Sequence, residues 1–204
     1  MAIISNGTTI ADAGAFSVNL GSMVHIKTLT ASSSSTLSFV HGASSVVLDG
    51  TYPIYKFEFI NIHPSADDSS TDFVANYSVD GGSNYNVSQT STFFGGYSSE
   101  GGGGGIEYYP ALDAANETNA GLIDNAANDN EASTSGSLFL FSPSNTDFVK
   151  HWIGSFSVDQ SGTLHFTYPT AYINSTSAVN AVQFKFLSGN IDSGKIKLYG
   201  IKDS

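Results

Sequence analysis

The sequence predicts an all-β protein, an antiparallel two-sheet sandwich of jelly-roll type with a long Gly-rich inserted loop. Three observations lead there. Apolar and polar residues alternate in short runs, most clearly where Tyr55, Phe57 and Phe59 interleave with Lys56 and Glu58; a period of two is the mark of a half-buried strand. The bulky residues are strand formers: the 204 residues include 14 Phe and 10 Tyr, which fit a pleated surface better than a helix. The runs number roughly eight to ten, divided by Gly, Asp and Ser turns, which suits a two-sheet sandwich better than a meander or an α/β layer.

Taken in order, residues 1–21 form an N-terminal arm whose apolar positions, Ile3, Ile4, Ile10, Phe16, Val18 and Leu20, keep no sustained period. Such an arm holds at most one short strand and packs on something else. A single domain follows over residues 22–204. Its first strands fall at Ser22–Leu29, Thr36–Val40 and Ser45–Leu48, with turns at Gly42 and at Asp49-Gly50. The stretch from Tyr55 to Asn86 is the centre of the chain. Its second run places Phe73, Ala75, Tyr77 and Val79 on one side and Val74, Asn76, Ser78 and Asp80 on the other, so the two runs read as an antiparallel hairpin with partners from the C-terminal half.

Residues 93–136 read as the inserted loop, with five consecutive glycines at Gly101 to Gly105, little alternation and a weak helical segment within residues 111–127. Strands resume at Ser137–Phe141 and Phe148–Val158, where Trp152, Phe156 and Val158 face inward around Gly154. After the Asp159–Gly162 turn, Leu164, Phe166 and Tyr168 are expected to face inward. Val182–Phe186 and Lys195–Ile201 read as a closing hairpin.

Charge narrows the function. The net charge is −11, from 18 acidic residues against 7 basic ones, and every basic residue is Lys. Phosphate recognition relies on clustered cations, Arg above all, so nucleic acid is not an expected partner. With no Cys, disulfides, thiolate catalysis and cysteine-bound zinc are excluded. No run approaches a membrane span and the first residues lack the features of a secretory signal. Only 12% of residues are charged, which leaves a surface of Ser, Thr, Asn and Gly suited to contact with other subunits.

No catalytic constellation stands out. His25, His41, His63, His151 and His165 never fall at metal-ligand spacing; His25, His151 and His165 take the polar side of their strands, and His63 opens an acidic loop. In that loop Asp67, Asp68 and Asp72 are weak candidates for Ca²⁺, beside the plainer reading that Asp and Ser cap backbone groups of a solvated turn. Glycoside chemistry needs two facing carboxylates, yet only Glu58 lies on a clear strand, next to Lys56 as a surface ion pair. There is no GxSxG elbow, and the glycine run lacks the Lys-Ser/Thr of a P-loop. Neither an enzyme nor a cofactor is expected. Sugar binding stays open: Tyr97, Tyr108 and Tyr109 would stack on pyranose rings if exposed and coplanar, whereas Trp152 reads as core. The costliest apolar groups to leave in water outside the alternating runs are Ile3, Ile4, Phe94, Tyr97, Ile106, Tyr108 and Tyr109, the candidates for assembly contacts.

Two segments carry a resemblance. YKFEFINIHPSADDSSTDFVANYSVDGGSNY, from Tyr55 to Tyr85, is similar to a recurring module of strand, xPxxD loop, strand and DGG turn. SGKIKLYGIKDS, from Ser193 to Ser204, is similar to Gly-x-Ile-x-Leu-Tyr-Gly endings. Both resemble virion structural proteins of tailed bacteriophages, particularly phages of marine and cyanobacterial hosts. The resemblance implies a jelly-roll protein built into the particle during assembly in the host cytoplasm, as capsid decoration or cement, head fibre or tail component. Its partners would be other virion proteins and further copies of itself, by analogy a cyclic trimer. The alternative is a carbohydrate-binding module or adhesin that meets a host glycan.

Overall fold

Among the described residues all regular structure is strand, apart from one 3-10 turn at Pro110–Leu112. The computed structural model of the chain describes residues 3–5, 8–12, 15–16, 22–66 and 72–203. The strands are β1 (Ile3–Ser5), β2 (Thr8–Asp12), β3 (Ala15–Phe16), β4 (Met23–Thr30), β5 (Leu37–Val40), β6 (Ile54–Pro64), β7 (Phe73–Ser78), β8 (Gln89–Ser99), β9 (Gly104–Tyr108), β10 (Ala115–Glu117), β11 (Ala120–Ile123), β12 (Thr134–Phe141), β13 (Lys150–Asp159), β14 (Thr163–Ile173), β15 (Ala181–Phe186) and β16 (Ile191–Ile201).

Two antiparallel sheets make the sandwich. The larger runs β10-β8-β14-β13-β12-β6-β16-β4, with β9 also paired to β8, and the smaller runs β11-β7-β15-β5. If β4, β5, β6, β7, β11, β12, β15 and β16 are counted as first to eighth, one four-strand block reads first, eighth, third, sixth and the other second, seventh, fourth, fifth. That is the jelly-roll order, two Greek keys wound together. Two insertions extend the larger sheet past its partner: β8 to β10 between β7 and β11, and β13 with β14 between β12 and β15. The described residues of the arm form a small antiparallel sheet of their own, β1-β2-β3, three strands rather than at most one.

The core is a lattice of Phe rings contributed by both sheets. Phe59 of β6 meets Phe184 of β15 at 5.0 Å and Phe156 of β13 at 5.2 Å, and Phe57 lies 5.2 Å from Phe184 and 5.3 Å from Phe39. These pairs are edge to face, the arrangement the ring quadrupole favours. A buried polar junction ties the extension to this core. The Trp152 Nε1–H donates to Gln89 Oε1 at 2.9 Å, and Gln89 Nε2 donates to the carbonyls of Ala75 at 2.9 Å and Thr118 at 3.0 Å.

Several expectations are corrected. The runs from Tyr55 to Asn86 are not a hairpin: β6 pairs with β12 and β16, and β7 with β15 and β11. Period two specifies which face is buried but not which strand is the neighbour. Two runs with aromatic faces bury both when they face each other from opposite sheets. The closing pair fails as a hairpin likewise, with β15 in the smaller sheet and β16 in the larger. The partners of β6 and β7 do come from the C-terminal half. Ser45–Leu48 is a loop rather than a strand, since Ser44 and Ser45 take positive φ and turn the chain. Residues 93–136, expected as an inserted loop, hold most of β8 together with β9, β10, β11 and the start of β12. In place of a helix, residues 111–127 carry the 3-10 turn and two short strands, in keeping with the helix-breaking Gly121 and the surrounding Asn and Asp.

The most consequential correction concerns β14. Its inward residues are Thr167, Pro169, Ala171 and Ile173, while Leu164, Phe166, Tyr168 and Tyr172 are exposed. Pairing with β13 sets this phase. Phe156 lies opposite Thr167 and Trp152 opposite Ala171, so each very large inward side chain has a small neighbour, as close packing requires.

Two glycines are dictated by space. A Cβ on Gly95 would sit 2.3 Å from the carbonyl oxygen of Phe166, and Gly82 combines a φ of +81 with Tyr85 Oη at 3.0 Å from where a Cβ would lie. The turn around Gly82 is also held by Asp80, which accepts from Ser78 Oγ and from Asn84 N and Nδ2, bonds that draw its carboxyl down to about 2.

The junction yields a stability prediction. Gln89→Leu leaves the buried Trp152 N–H without an acceptor and should cost about 1–3 kcal/mol, measured by urea denaturation. Adding Trp152→Phe should recover part of that loss, and a double-mutant cycle with no coupling between the two positions would contradict the assignment.

Candidate functional site

The outward face of the sheet extension gathers the exposed apolar residues. Cross-strand pairing builds it in rows. Tyr168 of β14 pairs with Phe94 of β8, which pairs with Tyr108 of β9. In the next row Phe166 pairs with Gly96 and Gly96 with Ile106; in the third, Leu164 pairs with Ser98 and Ser98 with Gly104. Paired residues in a sheet point to the same side, so one surface carries all of them. Ring centroids lie 5.8 Å apart for Phe94 and Tyr168 and 5.9 Å for Phe166 and Tyr168, at interplanar angles of 40° and 45°. Ile106 is 86% exposed, an extreme value for a branched apolar side chain.

The second glycine of Phe93-Phe94-Gly95-Gly96 places no side chain between Phe166 and Ile106 in the middle row. Tyr108 is held in place from the side, because its hydroxyl donates to Asp113 Oδ2 while Asp113 Oδ1 accepts the backbone N–H of Phe93 at 2.8 Å. That bond to Asp113 raises the Tyr108 hydroxyl above its ordinary pKa.

Along β13 the face continues as His151, Ile153, Ser155 and Ser157, and ends at Asp159. Beyond it lie the serines of β12, then the lysines. There Lys56 bonds Glu58 at 2.8 Å and sits 5.6 Å from the ring centre of Phe139, which makes the expected Lys56–Glu58 ion pair real. The bond from Lys56 holds the Glu58 carboxyl below the usual carboxylate range. The outer surface of the large sheet is thus divided, aromatic at the β9 end and cationic at the β16 end.

The underside of the same extension carries ionisable groups. Tyr97 stacks on His165 at 5.8 Å, and burial presses the imidazole below its ordinary pKa. His165 therefore takes the inward phase of β14 rather than the polar side expected of it. Tyr109 contacts Phe93 edge to face at 5.6 Å; burial first, then a bond with Glu107, raises its hydroxyl. Nearby, Asp124 is lifted from 3.8 to about 6, chiefly by burial and then by the charge of Asp72. Among the described residues no three His, Asp or Glu side chains come together as a metal site. Asp67 and Asp68 lie outside the described residues, and Asp72 accepts the backbone N–H of Asn125 at 3.1 Å. His63 Nδ1 bonds the carbonyl oxygen of Ala132 at 2.8 Å, a structural use.

The sequence-based contact candidates fall in three places. Phe94, Ile106 and Tyr108 share the outward face; Tyr97 and Tyr109 lie on the underside. Ile4 is exposed on β1, and Ile3 belongs to the same short strand. The three tyrosines expected to stack on a sugar are therefore divided between opposite faces. Leu164, Phe166 and Tyr168 complete the surface and were missed, because alternation alone gives no phase.

Comparison with known proteins gives no matching family model, and no curated protein matches the chain.

Two predictions follow from these environments. The folded pKa of Asp124 exceeds its unfolded value, so the fold binds a proton that the unfolded chain releases. Its contribution to stability is full below about pH 3.8 and is lost as pH rises through about 6. Asp124→Asn should flatten that part of a melting-temperature profile recorded between pH 4 and 7, and an unchanged slope would refute the assignment. On the outward face Phe166→Ser and Tyr168→Ser should each cost only on the order of 1 kcal/mol in chemical denaturation of dilute protein, well below the cost of Phe156→Ser in the core.

Proposed function

We propose that the chain is a structural protein of a tailed-phage virion, a decoration, cement, fibre or tail component that acts by protein–protein contact through the aromatic face of its sheet extension. The observation that carries this reading is the placement of Phe94, Ile106, Tyr108, Leu164, Phe166 and Tyr168 on one solvent-facing surface. A contiguous apolar patch of this kind marks an interaction site. The core already has its aromatics, and packing against Trp152 and Phe156 explains why β14 turns its large residues outward without explaining why they are large. A partner that covers them does. The virion assignment itself draws on the resemblance of Tyr55–Tyr85 and Ser193–Ser204 to phage structural proteins. Strands from both segments lie centrally in the jelly roll: β6 and β16 are neighbours in the larger sheet, and β7 is central in the smaller.

The glycan-binding alternative is less well supported by the same surface. Rings inclined at 40° and 45° do not form a flat stacking platform, and Phe, Ile and Leu bring no hydrogen-bonding groups to orient hydroxyls.

The test is incorporation. Antibodies against the chain should label purified particles of the phage that encodes it, and Phe166→Glu, folded but altered on the face, should be depleted from them. A chain present in infected cells yet absent from washed particles would overturn the reading.

A further inference from the structure

Resting on that reading of the face, we infer that its partner is a second copy of the same chain, docked face to face about a two-fold axis. Area is the first argument. The exposed fractions of the six residues above, with Ile153 and Tyr172 beside them, add up to about four whole large side chains, or roughly 800 Å² at about 200 Å² each. That is the share one partner contributes to a standard stable interface, about 800 Å².

Charge is the second. Two chains of net charge −11 repel wherever their acidic loops approach. The strands β9, β8, β14 and β13 present no charged outward side chain until Asp159 at the end of β13. This is the surface on which identical acidic copies meet with their carboxylates kept to the edge of the contact. The acidic groups nearest the face, Asp113 beside Tyr108 and Glu100 and Asp159 beside Leu164, lie at its rim rather than within it.

Shape is the third. Gly96, which puts no side chain between Phe166 and Ile106, lies one row from the ridge formed by Tyr168, Phe94 and Tyr108. A two-fold rotation sets the ridge of one copy over Gly96 of the other, a self-complementary contact. The closed product is a dimer, where the sequence resemblance pointed to a cyclic trimer, which needs two different patches.

The experiment combines mass and proximity. Sedimentation velocity of the full chain over a dilution series should give twice 21.4 kDa, and Phe166→Glu should weaken association by at least about 30-fold. Because the chain has no Cys, Thr92→Cys with a nitroxide label reports proximity independently: labels on this face should couple at short distance within the dimer, and labels at Lys202→Cys should not. A wild-type monomer, a trimer, or a dimer indifferent to Phe166→Glu and silent at Thr92 would each overturn the inference. If the wild type is monomeric and Phe166→Glu is still lost from particles, the face meets a different subunit and only the second-copy inference falls. If Phe166→Glu is retained in particles, the chain is still a virion component, but the assignment of its contacts to this face falls, and the second-copy inference with it.

Discussion

The carboxamide of Gln89 is the joint on which the architecture turns. Its oxygen takes the Trp152 N–H from one side of the extension, and its nitrogen reaches Ala75 in the opposite sheet and Thr118 in the crossing loop. The Trp152 and Ala75 groups are buried, so each would be costly to leave unpaired. One side chain thereby fixes how far β8 overhangs the smaller sheet, and β8 in turn positions β14 and β9. The aromatic face inherits its geometry from a hydrogen-bond junction on the other side of the same strands.

Close packing supplies the second constraint. The inner layer under the extension is thin, covered mainly by the short strand β11, whose four residues are all buried. Trp152 and Phe156 fill most of that space, so the neighbouring strand has room inward only for Thr167, Pro169 and Ala171. Size is thus partitioned across the sheet: large inside on β13, large outside on β14. The outer surface is a consequence of the inner one, and a substitution that enlarged Thr167 or Ala171 would disturb both.

Much of the fold was legible in the sequence. Alternation in β6, β13 and β16 identified strands and their buried faces, and the number of runs pointed to a sandwich. Pairing was not legible, because Phe57 and Phe73 satisfy the same pattern whether their strands are neighbours or face each other. The extension was hidden by composition. Gly95, Gly96 and the glycines that open β9 interrupt the alternation that strand recognition depends on, although Gly95 is present because β14 passes too closely for any side chain. The phase of β14 was in principle recoverable. With Asp159 opposite Leu164 across the turn, counting back to Phe156 and Trp152 places Thr167 and Ala171 inward. The face was half visible, through Phe94, Ile106 and Tyr108, and its other half waited on that register.

The position of β16 bears on how the molecule comes into being. This strand lies between β4 and β6, with Leu198 paired to Lys27 on one side and Phe57 on the other. Neither can complete its place in the sheet until residues 191–201 have left the ribosome, and the loop closed on β4 spans nearly the whole domain. Contacts so distant in sequence make folding slow. Throughout that interval the edges of β4 and β6 stand open beside an uncovered aromatic surface, the condition under which nascent β chains stick to one another. A cell making many copies at once must therefore either keep them apart until the last strand is in place or let the first correct contact between copies serve as protection.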